Sequence, residues 1–200
     1  TICRTGAPDS GKEGISIFLI PRDNPSLHMT EIGKVGHNCM PSWDIGYDNV
    51  MVPDLALMGE LGRGMAQLQA TLQYARAVQT ASAVGQAQAA VDLAVAHAKD
   101  RHQFGQPIGK FQVIQHMLAD MQTRVDLSRL MLYRLAWLID TQQACRKEAA
   151  QAKLTAAEMF QFVTDRGMQI LASAGYAEES DMQRYWRDSR LYTFGEGSSE

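Results

Sequence analysis

The sequence predicts an α+β fold: part of an antiparallel β domain over residues 1–60, then an up-down helical bundle over residues 61–200. Three observations predict it. Before residue 60 glycine and proline are dense (Gly6, Pro8, Gly11, Gly14, Pro21, Pro25, Gly33, Gly36, Pro41, Gly46, Pro53), with short apolar runs between them. After residue 64 the only proline is Pro107, and Ala, Gln, Leu and Met, all good helix formers, dominate. In that second region apolar residues recur every three or four positions, which places them on one helix face.

In chain order, Ile15 to Ile20 reads as a strand stopped by Pro21. Ser42 to Tyr47 reads as a second strand, and Asn49 to Val52 as a third, stopped by Pro53. A first helix is predicted from Met65 to His102, with Val84, Val91 and Val95 on one stripe. A second runs from Lys110 to Thr141 on Val113, Met117, Met121, Val125, Leu132, Leu135 and Ile139. A third runs from Cys145 to Ala174 on Ala152, Ala156, Met159, Val163 and Ile170, and Gly175 is its C-cap. A shorter fourth follows Ser180, which has capping-box spacing to Gln183. Short connections make successive helices antiparallel neighbours.

Composition excludes several classes. The 200 residues are 46% hydrophobic and 20% charged, which argues against disorder. A net charge of -3, from 19 Lys and Arg against 22 Asp and Glu, rules out a strongly basic nucleic-acid binder as the default and leaves room for a local basic phosphate site. No apolar run reaches the ~18 to 20 residues of a membrane span, and no secretory leader is apparent. Cys3, Cys39 and Cys145 are widely spaced and read as reduced thiols. His97 and His102 miss the i, i+4 spacing of paired ligands, so no metal site is expected. Phosphate loops, a Rossmann turn and a nucleophile elbow are absent; Gly59, Gly62 and Gly64 are a connector into a helix.

Three segments could carry chemistry. Arg101 to Gln112 joins two helices; Arg101 offers a fork of donors for a phosphate, Gln103 and Gln112 add neutral donors, and Phe104 adds a flat apolar face. A helix-capping role for Arg101 is the alternative. Gln169 to Tyr176 ends a helix on small residues that admit a close approach. In Gly195-Glu196-Gly197 a carboxylate sits on bare backbone, open to a substrate, with a solvated loop Glu as the alternative. Arg187, Asp188 and Arg190 read as structural ion pairs.

Together these segments resemble the acyl-CoA dehydrogenase family. The match is collinear over essentially the whole chain: Asn49-Val-Met-Val-Pro-Asp54, Met58-Gly-Glu-Leu-Gly-Arg-Gly64, Arg101-His-Gln-Phe-Gly-Gln-Pro-Ile108, Gln169 to Tyr176, Tyr185-Trp-Arg-Asp188 and Glu196-Gly-Ser-Ser-Glu200. The resemblance implies the end of a middle β domain plus most of a C-terminal four-helix bundle. On that reading an N-terminal part and the end of the last helix are missing, and the fragment alone is inactive. It implies FAD-dependent α,β-dehydrogenation of an acyl-CoA thioester to a trans-2-enoyl-CoA. Glu196 matches the catalytic base that takes the pro-R α-proton. Arg101, Gln103, Phe104 and Gln112 match a clamp on the FAD of a neighbouring subunit. Gln169, Ala172 and Ser173 match a stretch that reaches the FAD adenosine or diphosphate, and Ser198 and Glu200 match FAD contacts beside the base. Gln73, Tyr74, Arg76 and Gly197 match the acyl-CoA side. Other members place the base at the position of Ala75, which cannot act, so Glu196 is the candidate at either family location.

The departures are Ala172-Ser173 where the family carries Gly-Gly, Ser198 in place of Thr, and Gly195 where many members carry an aromatic residue. By the same resemblance the whole enzyme is a homotetramer that passes electrons to electron-transferring flavoprotein, in a bacterial cytoplasm or, in a eukaryote, the mitochondrial matrix. An acyl-CoA oxidase, a nitroalkane oxidase (which Glu rather than Asp at 196 disfavours) and a non-catalytic helical oligomerisation module are the alternatives.

Overall fold

A computed structural model of the chain describes residues 1–199; Glu200 lies outside the described residues. The chain forms two compact units, residues 1–34 with 38–72, and residues 35–37 with 73–200.

The first unit is built from hairpins. Strand β1 (Ile2–Arg4) pairs antiparallel with β2 (Ile15–Ile17), and β3 (Leu27–Ile32) pairs antiparallel with β4 (Ser42–Tyr47). The predicted strand at Ser42 to Tyr47 is β4. The strand at Ile15 to Ile20 is shorter than predicted, and Phe18 continues it only as an isolated bridge to Leu57. Asn49 to Val52 is not a strand: Asn49 takes a left-handed conformation (φ 51) that turns the chain off the ladder. β1 and β3 escape prediction. The first is three residues long, and the second alternates around His28, Thr30 and Glu31, so its apolar signal is weak. Ser16 ties this unit together: fully buried, it meets Thr5 Oγ1 at 2.6 Å and accepts the Gly62 N–H at 2.8 Å.

The second unit is helical. It holds helix α1 (Gly64–Asp100) from Gln73 onward, α2 Gln112–Asp140, α3 Arg146–Leu171, α4 Ser173–Tyr176 and α5 Asp181–Ser189, followed by a 3-10 turn at Arg190–Thr193. One face of α1 is a stripe of Ala83, Ala87, Ala90, Ala94 and Ala98, all shut from solvent. The small side chains let that helix approach Met121 and Val125 of α2 and Phe160, Val163 and Ile170 of α3 in a single core. A second cluster joins Leu135, Leu138, Cys145, Ala149 and Ala152 to Ala77, Met131 and Ile139. Burial of Val84, Val91, Met121, Val125, Leu135, Ala152, Ala156, Met159, Val163 and Ile170 follows the predicted periodicity. Val113 departs from it: it is 59% exposed, while its neighbour Ile114 packs against the core.

Helix ends differ from the sequence reading in two places. Ser180 caps α5 by accepting the Met182 N–H at 3.2 Å, but the Gln183 amide donates to Glu178 O, so the reciprocal half of the capping box is not made. Helix α3 ends not at Gly175 but at Ala172, which takes φ 49 and ψ -131. Gly175 is buried inside α4.

Candidate active site

Beyond the 3-10 turn the chain forms a tight loop from Phe194 to Ser199. Gly195 N–H donates to Leu191 O at 2.8 Å, and both the Ser199 N–H and Oγ donate to Thr193 O, at 2.9 and 3.0 Å. The base of the loop is anchored by Tyr192, which is buried edge-on to Phe160 with ring centroids 5.2 Å apart. The Tyr192 hydroxyl meets Ser82 Oγ and accepts from Gln86 Nε2 on α1, both at 2.8 Å.

The loop presents Glu196 exposed, in a left-handed conformation (φ 57), followed by Gly197 at φ 116. The positive φ is what favours glycine at position 197; a Cβ there would also stand 3.3 Å from Arg76 Nη2, a tight contact that the arginine would have to yield to. From α1, Arg76 Nε donates to Glu196 O at 3.4 Å. From α3, Lys153 Nζ donates to Gly197 O. Arg76, Lys153, Glu196, Gly197 and Ser198 line one cavity of about 180 Å³.

The acyl-side candidates divide. Arg76 and Gly197 meet Glu196, whereas Gln73 turns to the bundle and accepts the Cys145 thiol at 3.1 Å. Tyr74 is 55% exposed. Burial, and then the Glu148 carboxylate, push the Cys145 thiol above its ordinary pKa, so it is an unreactive packing group.

The Arg101 segment folds into a feature that the sequence reading missed. His102–Gln103 (β5) pairs with Gln106–Pro107 (β6) across the two-residue turn Phe104–Gly105, at φ 53 and φ 80. Positive φ at both turn residues is the pattern of a type I′ hairpin, with phenylalanine at a position where that conformation is costly. The turn lifts Phe104 to 92% exposure, edge-on to Phe111 at 6.2 Å. Arg101, Gln103 and Gln112 are exposed beside it.

These groups are far from Glu196 in their own chain. From Arg76 to Asp100 is 24 residues of continuous helix, about 36 Å at 1.5 Å per residue. Gln169, Ala172 and Ser173 are exposed at the far end of α3, Gln169 being 16 residues, about 24 Å, along that helix from Lys153.

The expected ion pairs of Arg187 and Asp188 are hydrogen bonds instead. Arg187 donates to Gln183 Oε1 and to Val35 O, each at 2.8 Å, and Asp188 accepts the His37 N–H at 2.6 Å. Arg190 donates to Thr193 Oγ1. Among the described residues no cluster of three or more His, Cys, Asp or Glu could hold a metal, and no helix is long and apolar enough to cross a membrane.

Lys153 and Tyr192 were not legible as site residues. The one available signal for Lys153 is its position on an otherwise small, buried face between Ala149, Ala152, Ala156 and Ala157.

Residues 62–200 match the family model described as acyl-CoA dehydrogenase, C-terminal domain. The chain belongs to the acyl-CoA dehydrogenase family. It is 42% identical over 197 residues to a probable acyl-CoA dehydrogenase, YngJ, of Bacillus subtilis, covering 98% of this chain and 52% of that protein. It is 34% identical to the caffeyl-CoA reductase-Etf complex subunit CarC of Acetobacterium woodii, covering 95% of this chain and 50% of that protein. Butyryl-CoA dehydrogenase from Megasphaera elsdenii superposes with a TM-score of 0.95 at 31% identity, over 99% of this chain and 52% of that one. The chain thus spans about half the length of the acyl-CoA dehydrogenases it matches. The donor set of the hairpin fits the family's FAD: a guanidinium and two amides suit a diphosphate, and an exposed phenyl face suits a ring.

Proposed function

We propose that this chain is the C-terminal half of an FAD-dependent acyl-CoA dehydrogenase that converts a saturated acyl-CoA thioester into its trans-2-enoyl-CoA. The observation that carries the reading is Glu196, an exposed carboxylate held on a glycine-flanked loop by Arg76, in the order and fold of that family. Glu196 takes the pro-R α-proton onto its carboxylate, and Gly197, with no side chain, admits the thioester to that carboxylate. Bound FAD supplies the acceptor for the β-hydrogen and its electron pair. The bound acyl chain covers the otherwise exposed Glu196 carboxylate and keeps water from the proton transfer.

Arg101, Gln103, Phe104 and Gln112 would hold the FAD of a neighbouring copy, with Gln169, Ala172, Ser173, Ser198 and Glu200 as further cofactor contacts. The support for a neighbouring copy is the separation along α1, which puts the hairpin about 36 Å from the Arg76 that touches its own Glu196. A homotetramer satisfies this arrangement. Electron-transferring flavoprotein is the matching acceptor, since CarC is itself a subunit of an Etf complex. A bacterial cytoplasm, or the mitochondrial matrix in a eukaryote, is the matching compartment.

The test is anaerobic mixing of the full-length flavoprotein with butyryl-, octanoyl- and 3-phenylpropionyl-CoA, wild type beside Glu196→Gln, following flavin absorbance. The wild type bleaches, and the variant bleaches slower by a factor on the order of 10² to 10⁴, the usual contribution of a positioned base. Equal rates would move the base elsewhere, and no bleaching of flavin-loaded wild type would refute acyl-CoA dehydrogenation.

A further inference from the structure

We infer that Lys153 is a positioning residue for the base, one half of a two-cation clamp on the Glu196–Gly197 backbone. This rests on the dehydrogenase reading above for its consequence, but not for its geometry. Lys153 is only 6% exposed, on the alanine-lined face of α3. A lysine is expensive to bury unless its ammonium finds strong acceptors. Its Nζ donates to Gly197 O, while Arg76 Nε of α1 donates to the preceding carbonyl, Glu196 O. Two cations from two helices therefore face two successive carbonyls, Lys153 in a close bond and Arg76 in a long one at 3.4 Å.

Of those two residues Glu196 is the one that needs holding, because glycine takes positive φ without cost. Glu196 and Gly197 both have positive φ, at 57 and 116. A side chain bearing a Cβ rarely adopts that conformation, so it persists only where its surroundings impose it. The bonds that close the loop from Thr193 to Ser199 constrain its two ends. The clamp constrains its apex, where the carboxylate is carried. Charge-assisted bonds to carbonyls are stronger than neutral ones, which suits cations at this point. Ala150 and Leu154 line the same cavity as Lys153. Base catalysis depends on placing the carboxylate within hydrogen-bond reach of the α-proton. Loosening the apex removes that placement without removing the base.

Two readouts on the flavin-loaded full-length enzyme test this, comparing wild type, Lys153→Met and Lys153→Arg. The first is hydrogen–deuterium exchange over residues 194–199, which needs no substrate. Lys153→Met speeds exchange there at least tenfold while the α3 peptides and the melting temperature hold, and Lys153→Arg restores protection. The second is anaerobic flavin reduction by the fastest of the three thioesters above, protiated or α,α-dideuterated. Lys153→Met lowers the limiting rate constant at least tenfold and enlarges the α-deuterium effect. The half-saturating concentration stays within twofold, a split that general loss of stability would not produce. Should Lys153→Met fail to fold, Lys153→Gln, which keeps a neutral donor, is held to the same criteria. Unchanged exchange together with an unchanged rate overturns the clamp, even where Glu196→Gln is inactive and the dehydrogenase reading stands. Faster exchange in a protein whose wild type bleaches with no thioester leaves the clamp standing and sinks the dehydrogenase reading instead.

Discussion

Ala172 offers the sharpest test of the backbone argument. It ends α3 at φ 49 and ψ -131, a region that residues with a Cβ avoid. Holding a non-glycine residue there costs on the order of 1 to 3 kcal/mol. Glycine removes that cost but gives the unfolded chain more freedom, which returns about 0.4 to 1 kcal/mol. Ala172→Gly is therefore expected to stabilise the protein by about 1 kcal/mol. For a unit of this size that is a rise in melting temperature of about 2 to 4 °C. Ala172 is exposed and touches no core, so lost packing does not cloud the comparison. The assay is urea and thermal unfolding of wild type, Ala172→Gly, Ala172→Val and Ser173→Gly. Valine, branched at Cβ, must be worse than alanine, and Ser173→Gly must bring no gain. A glycine variant less stable than wild type would refute the reasoning, because the strain it removes would then not exist.

Three further outcomes follow from the same structure. Gly62→Ala places a Cβ 2.5 Å from Glu13 O at φ 78; it should cost about 2 kcal/mol or more, read as a lower urea midpoint. Cys145, whose thiol is raised first by burial and then by Glu148, should react slowly with iodoacetamide at neutral pH. Its linkage has a definite sign: the folded state holds the thiol proton more tightly than the unfolded chain. Stability is unaffected below the ordinary thiol value and falls as pH rises from there toward the raised value. The fall in urea midpoint from pH 8 to 10 should be smaller in Cys145→Ala.

Much of this protein is written locally. Helices α1 to α3 follow from proline-free runs with apolar residues every three or four positions, because a helix closes its hydrogen bonds within one segment. The strand Ser42–Tyr47 and the cap at Ser180 are local in the same sense. Glu196 and the Arg101–Gln112 segment could be picked out because unusual residue types lie side by side, and the family resemblance rests on such strings. Strands β1 and β3 could not be, since each owes its pairing to a partner segment rather than to its own alternation. Position 172 reads as a small residue in sequence and becomes a strained turn only in the fold.

What only the tertiary structure decided is which distant residues share a site. Arg76, Lys153 and Glu196 lie on three elements, and Lys153 differs from any surface lysine only by where α3 packs. The hairpin at Phe104 was likewise invisible, because no Asn-Gly or Asp-Gly pair announces it. The helix between them sets the length that keeps the hairpin and Glu196 of one chain apart. Sequence periodicity reports a segment's own hydrogen bonds and its apolar face. Which charge meets which carbonyl depends on packing between segments, and that information resides in the assembled core.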